Sequence, residues 1–320
     1  MRIDLFAHVL TEKYLAELDR RNIQHHPSKP ASILSDVAER TAVMDEYAPG
    51  DTSVLTMMGP DLESMVDVPL ANRLAQIGND ELAGLVRRDS AHFIAAAAIL
   101  PMGDMDLAVK ECRRAIEQLG LKGVQISSNI RGERLSSERL YPLYEMMEAY
   151  DLPIWIHPSF PPGPLREPFD IELMLGWPLD TSMAIFHIAR SEVFDRFPKL
   201  KFITHHAGAF IPAFYPRIKA QYFDDPPYLV EPVGPEANRR SAYMKNFYAD
   251  TAIYGQCTDT LELAMKFFGV DRLVYATDFP SMTPEELPNT IRSVQALGLS
   301  PAEEEQVFSG TARTLLHLDA

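Results

Sequence analysis

Short, nearly continuous apolar segments recur along the chain. Each is followed by a longer stretch whose apolar positions fall every three or four residues. The short segments are residues 2–8 (RIDLFAH), 52–58 (TSVLTMM), 93–101 (FIAAAAILP), 123–128 (GVQISS), 153–159 (PIWIHPS), 201–208 (KFITHHAG), 247–253 (FYADTAI) and 273–280 (LVYATDFP). Such runs are expected of parallel strands covered on both faces. Between them, residues 107–119 carry apolar side chains at 107, 109, 112, 116 and 119, one helical face, and stop at Gly120. Residues 136–150 and 258–268 read the same way, the second opening on a Thr or Asp cap and ending at Gly269. Eight strands alternating with helices predict an α/β fold, a (β/α)8 TIM barrel, as one domain over residues 1–320. The rival, an open doubly wound sheet, usually carries a glycine-rich phosphate loop after its first strand. Here His8 is followed by Val9, Leu10 and Thr11. Residues 9–50 and 160–197 exceed ordinary barrel loops. Neither has enough apolar pattern for its own core, so both are expected to be helical and loop insertions over the C-terminal face of the barrel.

Charge narrows the range of partners. Against 30 Lys+Arg stand 45 Asp+Glu, a net charge of −15, which argues against unaided nucleic-acid binding and against docking on an anionic membrane. No run approaches the roughly 18 apolar residues of a membrane span. The opening MRIDLFAHVLTEKY lacks a basic segment followed by a long apolar one, so no secretory signal is expected. The two cysteines, Cys112 and Cys257, make no disulfide framework and cannot alone build a structural zinc site. A reducing cytoplasm is the expected compartment.

The candidate chemistry is positional. His8 ends the first strand, His157 stands near the end of the fifth, His205 and His206 near the end of the sixth, and Asp278 near the end of the eighth. Barrel active sites are assembled at the C-terminal ends of strands. Imidazole nitrogens with one carboxylate make an ordinary first shell for zinc or a similar divalent ion, leaving a position for water or substrate. Any one of these residues alone is more often a hydrogen-bonded packing residue, and Asp278 alone reads as a turn cap; their shared position lifts His8, His157, His206 and Asp278 above that reading. His187, on a helical stretch, reads as a partly buried helix histidine, and His25, His26, His92 and His317 as surface or turn residues. Asp250, on the seventh strand, is a candidate partner that orients a histidine.

The strings IDLFAH, IWIHP, FPKLKFITHHAGAFIP and YATDFP, with the block at residues 176–208, resemble the decarboxylase-type branch of the amidohydrolase superfamily. That branch includes aminocarboxymuconate semialdehyde decarboxylase and γ-resorcylate decarboxylase, and the resemblance spans essentially the whole chain. It implies metal ligation by His8, His157 and Asp278. It implies acid–base work by His206, chosen over His205 for its distance to the downstream Pro and Arg, with Asp278 as a second proton carrier. Arg40 falls where the branch places an arginine for the substrate carboxylate. Arg217 matches an arginine that a homodimer supplies to the neighbouring site. The bland alternatives are a solvated helix charge for Arg40 and a salt-bridge partner for Arg217.

One position departs from the branch. Its first strand carries His or Glu two residues before the ligand histidine; here that residue is Phe6, which cannot ligate a metal. A divalent ion, zinc first and manganese second, is then expected on three protein ligands. Weak binding and metal-free acid–base chemistry are the alternatives. The expected activity is non-oxidative decarboxylation of an aromatic or conjugated unsaturated acid, a small carboxylate. Its competitors are hydrolysis of an ester, lactone or amide by metal-activated water, hydration of an unsaturated acid, and binding without catalysis. Phe160, Trp177, Phe210 and Phe279 are candidates for an apolar wall around a planar substrate, or are ordinary core.

Overall fold

The computed structural model describes residues 1–23, 31–59, 61–159, 171–223, 240–254 and 258–318. His25, His26, Phe160 and Cys257 lie outside the described residues. All eight expected strand positions carry strands: β1 (Arg2–Val9), β2 (Asp51–Met57), β3 (Phe93–Ala96) continued by β4 (Ala98–Ile99), β5 (Val124–Ser127), β8 (Ile154–His157), β9 (Phe202–Thr204), β10 (Tyr248–Asp250) and β11 (Leu273–Val274). A small antiparallel hairpin, β6 (Asn129–Ile130) and β7 (Glu133–Arg134), follows β5.

Parallel pairing runs β1-β2-β3 and β4-β5-β8-β9-β10-β11. Two seams complete the ring. At the first, Ala97 N–H donates to Leu55 O at 2.9 Å and Ala98 N–H to Gly123 O at 2.9 Å, so the β3–β4 segment bridges β2 and β5. At the second, Leu5 N–H donates to Tyr275 O (3.0 Å), Asp278 N–H to Phe6 O (2.9 Å) and His8 N–H to Phe279 O (2.7 Å). Ala7 and Phe279 form a parallel bridge there.

Alternation along each strand separates two apolar sets. Ile3, Leu5, Phe6, Val54, Ala95, Ala97, Trp155, Ile203, Ala252, Val274 and Ala276 pack inside the ring. Their neighbours Leu55, Ala96, Val124, Ile154, Phe202, Ala249 and Leu273 face the surrounding helices. The helices keep the expected positions with small shifts. The stretch expected over 107–119 is the helix Met105–Glu117, capped by the Asp104 side chain on Leu107 N–H, and Thr258–Phe268 matches its expectation. Of the two long insertions, residues 9–50 contribute the helices Glu12–Arg20, Ala31–Ser35 and Val37–Tyr47, and the second contributes Trp177–Arg190. No helix among the described residues is long and apolar enough to cross a membrane.

Candidate active site

The inward period of the strands carries directly into the polar residues at their ends. Trp155 faces in, and so does His157 two residues later; Ile203 leads to His205, and Val274 and Ala276 lead to Asp278. In β1 the period changes parity. Asp4 pairs with Ser53 but Ala7 with Leu55, so β1 holds one extra residue, a β-bulge. Leu5 and Phe6 both face in as a result, and His8 follows Phe6.

His8, His157, His205 and Asp278 are all buried. His8 Nε2 lies 3.1 Å from Asp278 Oδ1, and its Nδ1 shares a 3.0 Å hydrogen bond with Thr56 Oγ1, the residue opposite it on β2. His157 Nδ1 is 2.6 Å from Pro158 O and therefore carries its proton there, which leaves Nε2 as the remaining donor atom. The His8 and His157 rings are 5.1 Å apart, centre to centre. Burial, then the nearby His8 and His205, pushes the His157 pKa well below the usual range, so this ring is neutral. Burial works to raise the Asp278 pKa, but the nearby His206 and His8 imidazoles outweigh it and hold the carboxyl far below the usual range.

Two adjacent histidines follow β9, and they differ. His205, in extended backbone, stacks its ring on Phe6 at 3.3 Å and 15°. Its Nδ1 is 2.6 Å from Asp250 Oδ2, and its Nε2 is buried without a partner among the described residues. Burial lowers its pKa, partly opposed by Asp250. His206, next along the chain, has a left-handed backbone (φ 55°) and brings Nε2 to 3.6 Å from Asp278 Oδ2. Burial would lower its pKa, but Asp278 and Asp250 reverse the sign and raise it. Tyr254, just beyond β10, donates its hydroxyl to the same Oδ2. Among the described residues nine non-glycine residues have positive φ, and five of them, His206, Ala207, Ala209, Tyr254 and Asp278, lie beyond β9, β10 and β11. Backbone strain is thus concentrated where the chemistry is.

Arg40 is not the solvated helix charge of the bland reading. It is 1% exposed, donates Nη1 to His8 O at 2.5 Å and lies 5.1 Å over the Phe279 ring. Its Nε and Nη2 are buried without partners among the described residues, and burial lowers its pKa to about 10. A buried guanidinium with two unused donors is costly unless something charged meets it. Arg217 is exposed on the helix Ile211–Ile218, one turn after the exposed Phe214. Trp177 meets His157 edge-on at 6.0 Å, Phe279 is the buried ring under Arg40, and Phe210 is half-buried. His187 is the buried helix histidine expected, its pKa lowered by burial to about 4.

Asp250 holds a histidine, as the sequence suggested, and the one it holds is His205; His205, Thr56 and Tyr254 join the site beyond the residues chosen from sequence. The signal for His205 was available: it shares the inward parity of Ile203, whereas His206 is turned toward Asp278 by its left-handed backbone. The donor chemistry suits a divalent ion, with His8 Nε2, His157 Nε2 and Asp278 as the atoms that would hold it. In number the set falls short of a closed cage. Among the described residues no three His, Cys, Asp or Glu side chains converge as an ion-holding group, and Phe6 presents a hydrocarbon ring 4.2 Å from the His8 ring.

The chain is 27% identical over 341 residues to the 2-amino-3-carboxymuconate-6-semialdehyde decarboxylase of Dictyostelium discoideum, covering all of this chain and 92% of that protein. It is 28% identical over 309 residues to the γ-resorcylate decarboxylase of a Polaromonas species, covering 92% of this chain and 91% of the relative. The crystal structure of a Polaromonas dihydroxybenzoic acid decarboxylase, with bound manganese and the inhibitor 2-nitroresorcinol, superposes with a TM-score of 0.80 at 24% identity, over 100% of this chain and 97% of that one. The sequence profile of the amidohydrolase family matches residues 22–318, and the chain belongs to that family.

Proposed function

We propose that this protein is a carboxy-lyase that removes CO2, without oxidation, from an aromatic or conjugated unsaturated carboxylic acid. The observation that carries the reading is the buried, half-unpaired guanidinium of Arg40 on the backbone of His8, which pairs with Asp278: unused donors suited to a carboxylate, next to groups that move protons. Two curated decarboxylases matched along nearly the whole chain support it.

Arg40 holds a charged substrate oxygen through Nε and Nη2. His206, paired with Asp278, delivers a proton to the carbon that bears the carboxylate. The C–C bond then breaks, CO2 leaves, and its bonding electrons return to the conjugated system. Asp278, held ionised, stabilises the His206 cation rather than acting as the proton source. His205, its tautomer fixed by Asp250, keeps an Nε2 lone pair free to accept the proton of a substrate hydroxyl. His8, His157 and Asp278 would hold a divalent ion, zinc first and manganese second, which when bound would supply positive charge to polarise the substrate carboxylate or an adjacent oxygen.

The protein works as one barrel domain over residues 1–320, in the cytoplasm, as a homodimer that supplies Arg217 to the neighbouring site. The dimer reading draws on an exposed apolar stripe, Ile171, the adjacent Met174 and Leu175, Leu179 and Met183, which recur about once per helical turn; Met174 is 69% exposed. A hydrogen bond from Phe210 N–H to Ser182 Oγ, 3.0 Å, ties that helix to the one bearing Arg217. A row of exposed apolar side chains of this kind supports the association reading.

The test is CO2 release from a panel of hydroxybenzoates and muconate-type acids, with parallel His206→Ala and His205→Ala variants. Each variant is expected to keep its fold and lose turnover. Hydrolysis of esters, lactones or amides with no CO2 from any acid overturns the reading.

A further inference from the structure

We propose that Tyr254 is a positioning residue that divides the work of the two Asp278 oxygens and walls the site on its solvent side. The phenol hydroxyl donates to Oδ2, while Oδ1 faces His8 Nε2 at 3.1 Å. His206 Nε2 approaches the same Oδ2 only to 3.6 Å, beyond a formed hydrogen bond. The tyrosine therefore holds the place on the carboxylate that His206 would otherwise take, and the His206 Nε2 proton stays uncommitted. The Tyr254 ring lies 6.2 Å from the His206 imidazole with 27° between the planes. The residue as a whole is 40% exposed, so it reaches from the buried carboxylate to solvent. Its φ of 48° is a conformation that a bulky residue keeps only when its surroundings hold it.

The rate part of the test rests on the decarboxylase reading; the spectroscopic part does not. Tyr254→Phe keeps the ring and removes the hydroxyl. The expected result is an unchanged melting temperature, kcat lowered roughly tenfold and KM moved less than about twofold, as for loss of a hydrogen bond to a charged group outside the substrate contact. Tyr254→Ala, which also removes the wall, is expected to raise KM as well. In 15N-edited imidazole spectra, assigned with His8→Gln and His206→Gln, the His206 Nε2 signal is expected to shift in Tyr254→Phe as the ring closes on Oδ2. A Tyr254→Phe protein with wild-type kcat, or with an unmoved His206 signal, overturns the proposal. If the wild type releases no CO2 from any acid, the decarboxylase reading falls and the His206 signal alone decides for or against Tyr254.

Discussion

His205 Nδ1 and Asp250 Oδ2 are 2.6 Å apart, and both side chains are fully shielded from solvent. The Asp250 carboxylate fixes which imidazole nitrogen carries the proton and which way the ring faces. Asp250→Asn removes that charge while keeping the shape. Turnover is expected to fall roughly 100-fold with little change in melting temperature, read from initial rates of CO2 release. Unaltered rates would reduce the pair to a packing contact.

Arg40 separates function from stability. Its two donor nitrogens without partners among the described residues, Nε and Nη2, cost free energy. Arg40→Met is expected to weaken substrate binding tenfold or more, while the melting temperature holds or rises because a buried charge has gone. Substrate titration and differential scanning fluorimetry read the two effects separately.

Asp4 makes stability depend on pH. Burial pushes its carboxyl up to about 7, against hydrogen bonds from Thr277 and from Phe6 N–H. The folded protein therefore holds a proton that the unfolded chain, titrating near 4, has released. The stabilisation is complete below about pH 4 and is lost as pH rises through about 7, by up to about 1.4 kcal/mol per pH unit in between. Asp4→Asn, neutral throughout, is expected to melt with a flatter pH profile between pH 5 and 8. Parallel profiles for the two proteins would contradict the assignment.

Phe6 is expected to set the affinity for a divalent ion. Protein purified without chelator is expected to carry a substoichiometric divalent ion by elemental analysis, and His157→Ala to carry less. Phe6→His, which adds a donor beside His8, is expected to retain manganese or zinc through dialysis that strips the wild type. Equal retention by the wild type and Phe6→His would show that this position does not govern binding.

The apolar stripe and Arg217 predict how subunits complement one another. Inactive Arg217→Ala and His157→Ala proteins, mixed, are expected to recover part of the activity. Met174→Asp is expected to shift the sedimentation profile toward monomer. A monomeric wild type in analytical ultracentrifugation would remove the shared-site arrangement.

The strands were legible because a parallel barrel buries both faces of each, and near-continuous apolar runs survive in the sequence as a plain signal. His8, His157 and Asp278 were legible because the fold gathers strand ends. His205 was passed over for its neighbour because linear distance to downstream residues says nothing of which adjacent side chain faces inward; parity with Ile203 does. Asp250 is legible as a partner for some histidine from its place on the seventh strand, but which one it holds, 45 residues away, and the pairing of Tyr254 with Asp278, 24 residues away, are recorded in no local pattern. Arg40 could not be told from a surface charge because its burial depends on Phe279, at the opposite end of the chain.

The extra residue between Asp4 and Ala7 leaves the aim of His8 unchanged and adds one side chain to the interior. Ile3 and Leu5 already alternate inward, and without Phe6 the strand would run on regularly to Ala7 outward and His8 inward, still opposite Thr56. The irregularity in the first strand therefore gives the centre its hydrocarbon neighbour: loss of that one codon would take away the ring stacked on His205 and packed beside His8 and leave the imidazole where it stands.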